Sequence, residues 1–159
     1  MSVAGPAWAL AFLREARVGR LATADAAGRP LVVPVCYAFD GACCWSAVDA
    51  KPKRTRQLRR LRNIAENPRA ALVVDHYEED WRALRWVLVE GPAEVLTDGP
   101  ATAGALDLLR DKYRQYREGA LPADGVALIR LTAERLLHWR GADGGGPGPL
   151  DETPAPRRQ

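Results

Sequence analysis

Seven of the twelve residues from Lys51 to Arg62 are basic and none is acidic; the densest stretch is Lys51-Pro52-Lys53-Arg54-Thr55-Arg56. A strand-forming run precedes it and a helix-forming run follows. A strand end that feeds a helix start presents free backbone N–H groups and the positive end of the helix dipole. Lys51, Lys53, Arg54 and the Thr55 hydroxyl add charge-assisted donors able to converge on one phosphate, with Arg56 close by. For Arg59, Arg60 and Arg62 two readings stay open, a solvated helix face and contact with an extended anionic tail. Outside this window the chain carries 16 basic and 20 acidic residues. Localised charge on an otherwise mildly acidic chain suits a particular anionic ligand more than polyanions in general. That balance, with no helix-turn-helix pattern, argues against nucleic acid as the partner.

Other chemistry is sparse. There is no Gly-rich phosphate loop, no Cys/His spacing suited to zinc or another metal, and no nucleophile elbow. The histidines are His76 and His138. His76 and Tyr77 are candidate proton donors; the alternative for His76 is a polar strand end facing solvent. Pairing Cys36 with a histidine lacks an orienting third residue. Cys36, Cys43 and Cys44 are odd in number and read as small hydrophobes of a reducing compartment. Trp81, Trp86 and Trp139 lie at strand beginnings or ends, where indole either walls a planar heterocycle or packs a core. Pro34, inside an apolar run, removes a ladder N–H and marks an edge, a bulge or a flat ligand.

The elements that must position these residues follow from periodicity. Helical spacing covers 7–17, strands fit 18–24, 31–39 and 42–48, and Asp25-Ala26-Ala27-Gly28 and Asp40-Gly41 supply the turns between them. The third strand is expected to pair back on the second. A basic helix spans 52–66 with Leu58, Leu61 and Ala65 as its apolar stripe, ended by Asn67-Pro68. Strands follow at 70–77 and 86–96, the latter bent or bulged at Gly91-Pro92. A helix runs from 98 to 117 with Leu106, Leu109, Lys112 and Tyr113 along one side. A strand covers 126–131, and 136–139 extends or follows it. Short turns between strands exclude a parallel βαβ sheet. The expected fold is mainly β with flanking helices, an antiparallel, closed or partly open barrel.

The chain has 159 residues, 47% of them hydrophobic and 27% charged. That is one domain of ordinary globular composition, which excludes wholesale disorder or a fibrous repeat. No apolar run approaches the roughly 18 residues a membrane helix needs. The first residues lack a signal peptide's pattern, so the expected location is cytoplasmic. From Gly141 to Gln159, nine of nineteen residues are Gly or Pro. The expected division is therefore a cofactor-binding domain over 1–140 and a disordered Gly/Pro-rich tail over 141–159.

Two groups of residues carry a family resemblance. Arg20-Leu21-Ala22-Thr23, Gly28-Arg29-Pro30 and Val33-Pro34-Val35 are similar to the opening of the pyridoxamine 5'-phosphate oxidase-like, FMN-binding split-barrel superfamily. The run Lys51 to Arg62 with Asn63-Ile64 and Asn67-Pro68-Arg69, followed by Val74-Asp75-His76-Tyr77, Asp80-Trp81 and Trp86, resembles its branch that uses the deazaflavin coenzyme F420. The resemblance implies a Greek-key split β-barrel and a homodimer with two equivalent cofactor grooves at the subunit interface. It places the phosphate on Lys51, Lys53, Arg54 and Thr55. The ring would lie along Val33, Pro34, Val35 and Cys36 and the facing strand Trp45, Ser46, Ala47 and Val48. Trp86 and Trp139 would stand near the ring or across the dimer. The oxidase's own substrate-binding residues have no recognisable counterpart, which argues against vitamin B6 oxidation.

FMN ends in a single phosphate, whereas coenzyme F420 continues into lactyl and glutamyl carboxylates. The long basic run suits the second. The expected activity is hydride transfer between the deazaflavin and a small organic acceptor. The alternative is an FMN-binding split barrel, an oxidoreductase or a flavin-binding protein without turnover. A haem-binding split barrel would need an axial histidine, and neither histidine has a supporting pattern.

Overall fold

The computed structural model describes residues 2–48, 58–121 and 126–144. Helix α1 (Ala7–Glu15) leads into β1 (Gly19–Ala24) and β2 (Pro30–Val35), an antiparallel hairpin. Its turn is the expected one. Gly28 adopts φ +77°, and the Asp25 carboxylate accepts from Ala27 N at 3.0 Å, Arg29 N at 2.9 Å and Arg29 Nε at 2.7 Å. These donors hold the Asp25 carboxyl below its ordinary pKa.

The single strand expected over 31–39 is divided. After β2 the chain breaks at Cys36 and Tyr37, and a two-residue strand, β3 (Ala38–Phe39), pairs with β4 (Cys43–Ala47) instead of continuing beside β1. The third strand therefore pairs with only the end of the expected second one. The cause is Tyr37, which is fully buried. Its N–H donates to the Tyr113 hydroxyl at 3.0 Å and its own hydroxyl donates to the Leu13 carbonyl, so its backbone and ring are bound outside the ladder.

Strand β5 (Arg69–His76) pairs with both β1 and β6 (Arg85–Leu96), and a 3₁₀ turn, Trp81–Ala83, joins β5 to β6. Strands β7 (Leu128–Thr132) and β8 (Arg135–Arg140) run in succession beside β6 with one extra residue between them, a bulge opposite Gly91-Pro92. The expected bend in the long strand is there. A Cβ on Gly91 would lie 2.1 Å from the Thr132 carbonyl oxygen. The strand order is β2-β1-β5-β6-β7-β4-β3, with β8 on β6. Because β2 and β3 belong to one stretch of chain, the curled sheet returns on itself through the Cys36–Tyr37 break. The fold is a split antiparallel barrel.

Helix α2 is described over Arg59–Glu66, with the residues expected to begin it, 52–57, outside the described set. Its buried residues are Asn63 and Ile64, while Ala65 is exposed, so the expected stripe is corrected towards the Leu61–Ile64 side. Asn63 Nδ2 donates to Thr23 Oγ1 at 3.0 Å, a polar anchor invisible to an apolar stripe. The expected helix over 98–117 is two, α3 (Pro100–Lys112) and α4 (Arg114–Arg117), broken at Tyr113. The Tyr113 hydroxyl lies 2.8 Å from the Arg17 carbonyl and 2.9 Å from that of Tyr37, which ties the break to the split. Order continues past residue 140, where Gly141–Asp143 forms a 3₁₀ turn against Trp81; residues 145–159 lie outside the described set. Among the described residues no helix is long and apolar enough to cross a membrane.

Burial pushes the Lys112 ammonium down to about 8, with Arg17 adding repulsion. The unfolded chain holds this proton up to about 10.4. Between those values the unfolded state binds more protons, so this lysine's cost to stability is full below pH 8 and is relieved as pH rises. Lys112→Met is expected to be more stable than the parent at neutral pH, with the gap narrowing towards pH 10. Urea midpoints of both proteins across that range measure the difference, in which the tyrosine and cysteine titrations common to both cancel.

Candidate functional site

Alternation along the strands decides which side chains line the outer face of the sheet. Register places Pro34, Arg20, Val73, Leu88 and Leu137 in one row across β2, β1, β5, β6 and β8. The next row is Val32, Ala22, Ala71, Glu90 and Arg135, and Trp86 faces Trp139 directly. Val32 is 61% exposed and Pro34 is exposed, while Trp86, Leu88, Leu137 and Trp139 are half-buried. Ion pairs lie within and beside this face: Arg20–Asp75 at 2.6 Å, Arg135–Glu90 at 3.2 Å and Arg69–Glu134 at 2.6 Å. Over the small residues Ala22, Ala24 and Ala71 lies an open groove of about 420 Å³ with Arg69 and Glu90 at its side. An apolar surface whose interspersed charges are paired with one another suits a flat ligand or a partner chain.

The expected site residues fall in three groups. Lys51, Lys53, Arg54, Thr55 and Arg56 lie outside the described residues. The chain on either side is anchored: Val48 N–H donates to the Ala127 carbonyl at 2.9 Å after β4, and Leu58 precedes α2. Pro34 sits on an edge strand, one of the three meanings its sequence position allowed, and Trp86 shares its outer face. With β1 and β5 between them, strands β2 and β6 stand about 14 Å apart within one chain, and Trp86 lies two residues before Leu88, the β6 residue in the row of Pro34. Val33 is half-buried against the core, and Val35, Ser46 and Ala47 are buried at 7%, 5% and 7% exposure. Ser46 and Ala47 pair with Ile129 and Leu128 inside the sheet.

The candidate proton donors take different positions. His76 pairs in register with Arg85, on the opposite side of the sheet from Trp86, and its Nε2 is 2.6 Å from Glu78 Oε1. Tyr77, at the strand end, is 64% exposed and donates to Glu79 Oε1 at 3.3 Å. His138 stacks edge-on against Trp8 at 5.5 Å. Cys36, Cys43 and Cys44 are free thiols, and burial pushes those of Cys43 and Cys44 up. Leu88, Leu137 and Val32 were not singled out by sequence. Runs that are apolar on both faces were the available signal, but they do not say which face a core covers.

The outer face fits a planar heterocycle, since the exposed Pro34 and Val32 and the half-buried indoles offer flat apolar surface, and the carboxylates in the rows of Val32 and Trp86, Glu90 and Asp75, are paired with Arg135 and Arg20. The chain is 34% identical over 131 residues, 82% of its length and 79% of the relative's, to a 5a,11a-dehydrotetracycline/5a,11a-dehydrooxytetracycline reductase of Streptomyces rimosus. Its fold is similar to that of a conserved hypothetical protein, Rv2991, of Mycobacterium tuberculosis, with TM-score 0.68 and 22% identity over 92% of this chain and 91% of that one. It is also similar to an FAD-binding protein of Mesorhizobium loti, with TM-score 0.60 and 25% identity over 81% and 87%. The pyridoxamine 5'-phosphate oxidase family matches residues 7–140. With nearly the whole described fold inside that match, the chain belongs to the pyridoxamine 5'-phosphate oxidase family of split barrels.

Proposed function

We propose that this protein is a flavin-type oxidoreductase whose hydride carrier is the deazaflavin coenzyme F420 and whose substrate is a small unsaturated organic acceptor. The observation that carries the choice of carrier is the run of seven basic residues from Lys51 to Arg62, longer than one phosphate requires. The family and the reductase relative support the oxidoreductase class. Lys51, Lys53, Arg54 and Thr55 hold the phosphate in this reading, with Arg56 beside them, and the more distal arginines meet the carboxylate tail. Pro34, with the backbone beside Val33, Val35, Ser46 and Ala47, flanks the ring.

When bound, the deazaflavin supplies the hydride. The protein contributes orientation, exclusion of water and a proton. Tyr77, exposed at the end of β5, is the better-placed proton source; His76 points to the other side of the sheet and is engaged by Glu78. The outer apolar face is the surface on which a second copy packs, so that Trp86 of one chain and Pro34 of the other are brought nearer than the two strands between them within one chain allow. The protein is then a homodimer of cytoplasmic type.

Equilibrium titration with coenzyme F420 and with FMN, followed by reduced-deazaflavin oxidation against a panel of enones and quinones, tests this reading. The expected result is at least tenfold tighter binding of coenzyme F420 and turnover of at least one acceptor. Tighter FMN binding would favour the second reading, an FMN split barrel, for which the FAD-binding neighbour speaks. Sedimentation equilibrium at micromolar concentration is expected to give the dimer mass.

A further inference from the structure

Trp81 is the most exposed of the large hydrophobic residues described, at 69%, and Tyr77 in the same β5–β6 connection is exposed as well. That connection also carries Glu78, Glu79 and Asp80. His76 engages Glu78 and Arg82 engages Asp80, whereas among the described residues Glu79 meets only the Tyr77 hydroxyl, at 3.3 Å. Beside the connection lies a groove of about 220 Å³, lined in part by His76, Glu78, Arg82, Arg85, Arg140 and Ala142. Arg85 and Arg140 stand directly opposite each other on β6 and β8, and like charges so placed repel. Arg140 is paired with Asp143 at 2.8 Å, but among the described residues no carboxylate pairs with Arg85, whose guanidinium lies 4.6 Å over the Phe12 ring.

The described residues end at this same place. The Gly141–Asp143 turn is seated on the connection: Gly141 N–H donates to the Leu84 carbonyl at 2.8 Å, and a Cβ on Gly141 would lie 2.0 Å from the Trp81 carbonyl oxygen. Fifteen residues follow Gly144. Gly145 to Pro149 are all Gly or Pro, and Leu150-Asp151-Glu152-Thr153-Pro154-Ala155-Pro156-Arg157-Arg158 comes next. A Gly-rich coil of ten residues spans about 17 Å on average, which brings Pro154 back within reach of Trp81. Pro-Xxx-Pro favours the extended polyproline II form, which aromatic surfaces take up at small entropic cost. The acidic pair of the segment matches the unpaired Arg85, and its basic pair matches Glu79.

We propose that residues 145–159 dock on this surface of their own chain. Pro154 and Pro156 lie against the Trp81 indole, Asp151 and Glu152 face Arg85, and Arg157 and Arg158 face Glu79. Attachment at Gly144 favours this occupant over a free partner, because a short flexible linker holds it at an effective concentration of about 1 mM. An intrinsic dissociation constant of about 0.1 mM then gives about ten docked chains for each free one. The docking stands independently of the redox reading and of which cofactor the protein takes.

Trypsin cleavage of the full chain after Arg157 and Arg158, followed by intact mass, tests the proposal, with a synthetic peptide of residues 145–159 as the undocked reference. Cleavage tracks the open fraction, so the full chain is expected to be cut there about tenfold more slowly than the peptide. Trp81→Ala, which removes an exposed side chain, is expected to be cut at nearly the peptide's rate. Pro154→Gly, outside the barrel, is expected to match the rate of its own peptide. The double variant Glu79→Gln, Arg85→Gln should be cut about threefold faster than the parent, as exposed ion pairs warrant. Parent cleavage at the peptide's rate, or full protection in both Trp81→Ala and Pro154→Gly, would overturn the docking. Protection that falls on dilution would give the segment to a second copy and overturn its placement on its own chain.

Discussion

The double variant Lys53→Ala, Arg54→Ala is expected to lose roughly a hundredfold in affinity for coenzyme F420, measured by fluorescence titration of the deazaflavin. Two charge-assisted contacts to one phosphate are worth about 1.5–3 kcal/mol each, and the lower bound of the pair already corresponds to that factor. FMN affinity should fall with it, because both carriers present a phosphate to the same donors. Arg62→Ala is the contrast. That residue is about half exposed and lies 3.7 Å from Glu66, so its charge is already partly engaged. An exposed pair is worth about 0–1 kcal/mol, and the expected change is at most about fivefold for coenzyme F420 and none for FMN. Unchanged affinity in the double variant would remove the phosphate from Lys51–Arg56 and with it the argument for the carrier.

Gly91→Ala is expected to be severely destabilising. The added Cβ would stand 2.1 Å from the Thr132 carbonyl oxygen and 3.0 Å from Glu134 N, both backbone atoms that no rotamer change can move. Relieving the clash means separating β6 from the bulge between β7 and β8, where Glu134 N–H donates to the Glu90 carbonyl at 3.1 Å. A loss above about 4 kcal/mol, equivalent to a melting temperature lower by about 10 °C or more, is expected by calorimetry. Gly104→Ala, in the exposed middle of α3 with no atom within 4 Å of the new Cβ, should be neutral or stabilising by up to about 1 kcal/mol. A Gly91→Ala protein as stable as the Gly104→Ala one would mean that the two halves of β6 are not held by this close approach. Because Trp86 and Glu90 lie on the same strand, the variant should also weaken whatever binds the outer face.

Much of this architecture was legible without coordinates. Turn chemistry located Asp25–Gly28 and Asp40-Gly41, both of which the structure closes with a positive-φ glycine. A proline after a glycine inside a long apolar run marked the bend at Gly91-Pro92, since neither residue suits an unbroken ladder. The division of 31–39 was not legible. Its residues all favour strand, and what interrupts them is a hydrogen bond to Tyr113, 76 positions away. Local propensity carries no information about such a partner. The shift of α2's buried side has the same origin, because Asn63 is drawn inward by Thr23, 40 positions earlier.

The candidate site divides along the same line. Residue types and their order along the chain determined the localised positive charge, the edge position open to Pro34 and the family to which the chain belongs, because these depend on composition and short-range spacing. Tertiary structure alone decided that Pro34 and Trp86 share a face while His76 does not, and that Lys112 is enclosed between two tyrosines with no hydrogen-bond partner among the described residues. Facing is set by strand register and burial by the packing of distant elements, and both are properties of the closed barrel that no window of sequence contains.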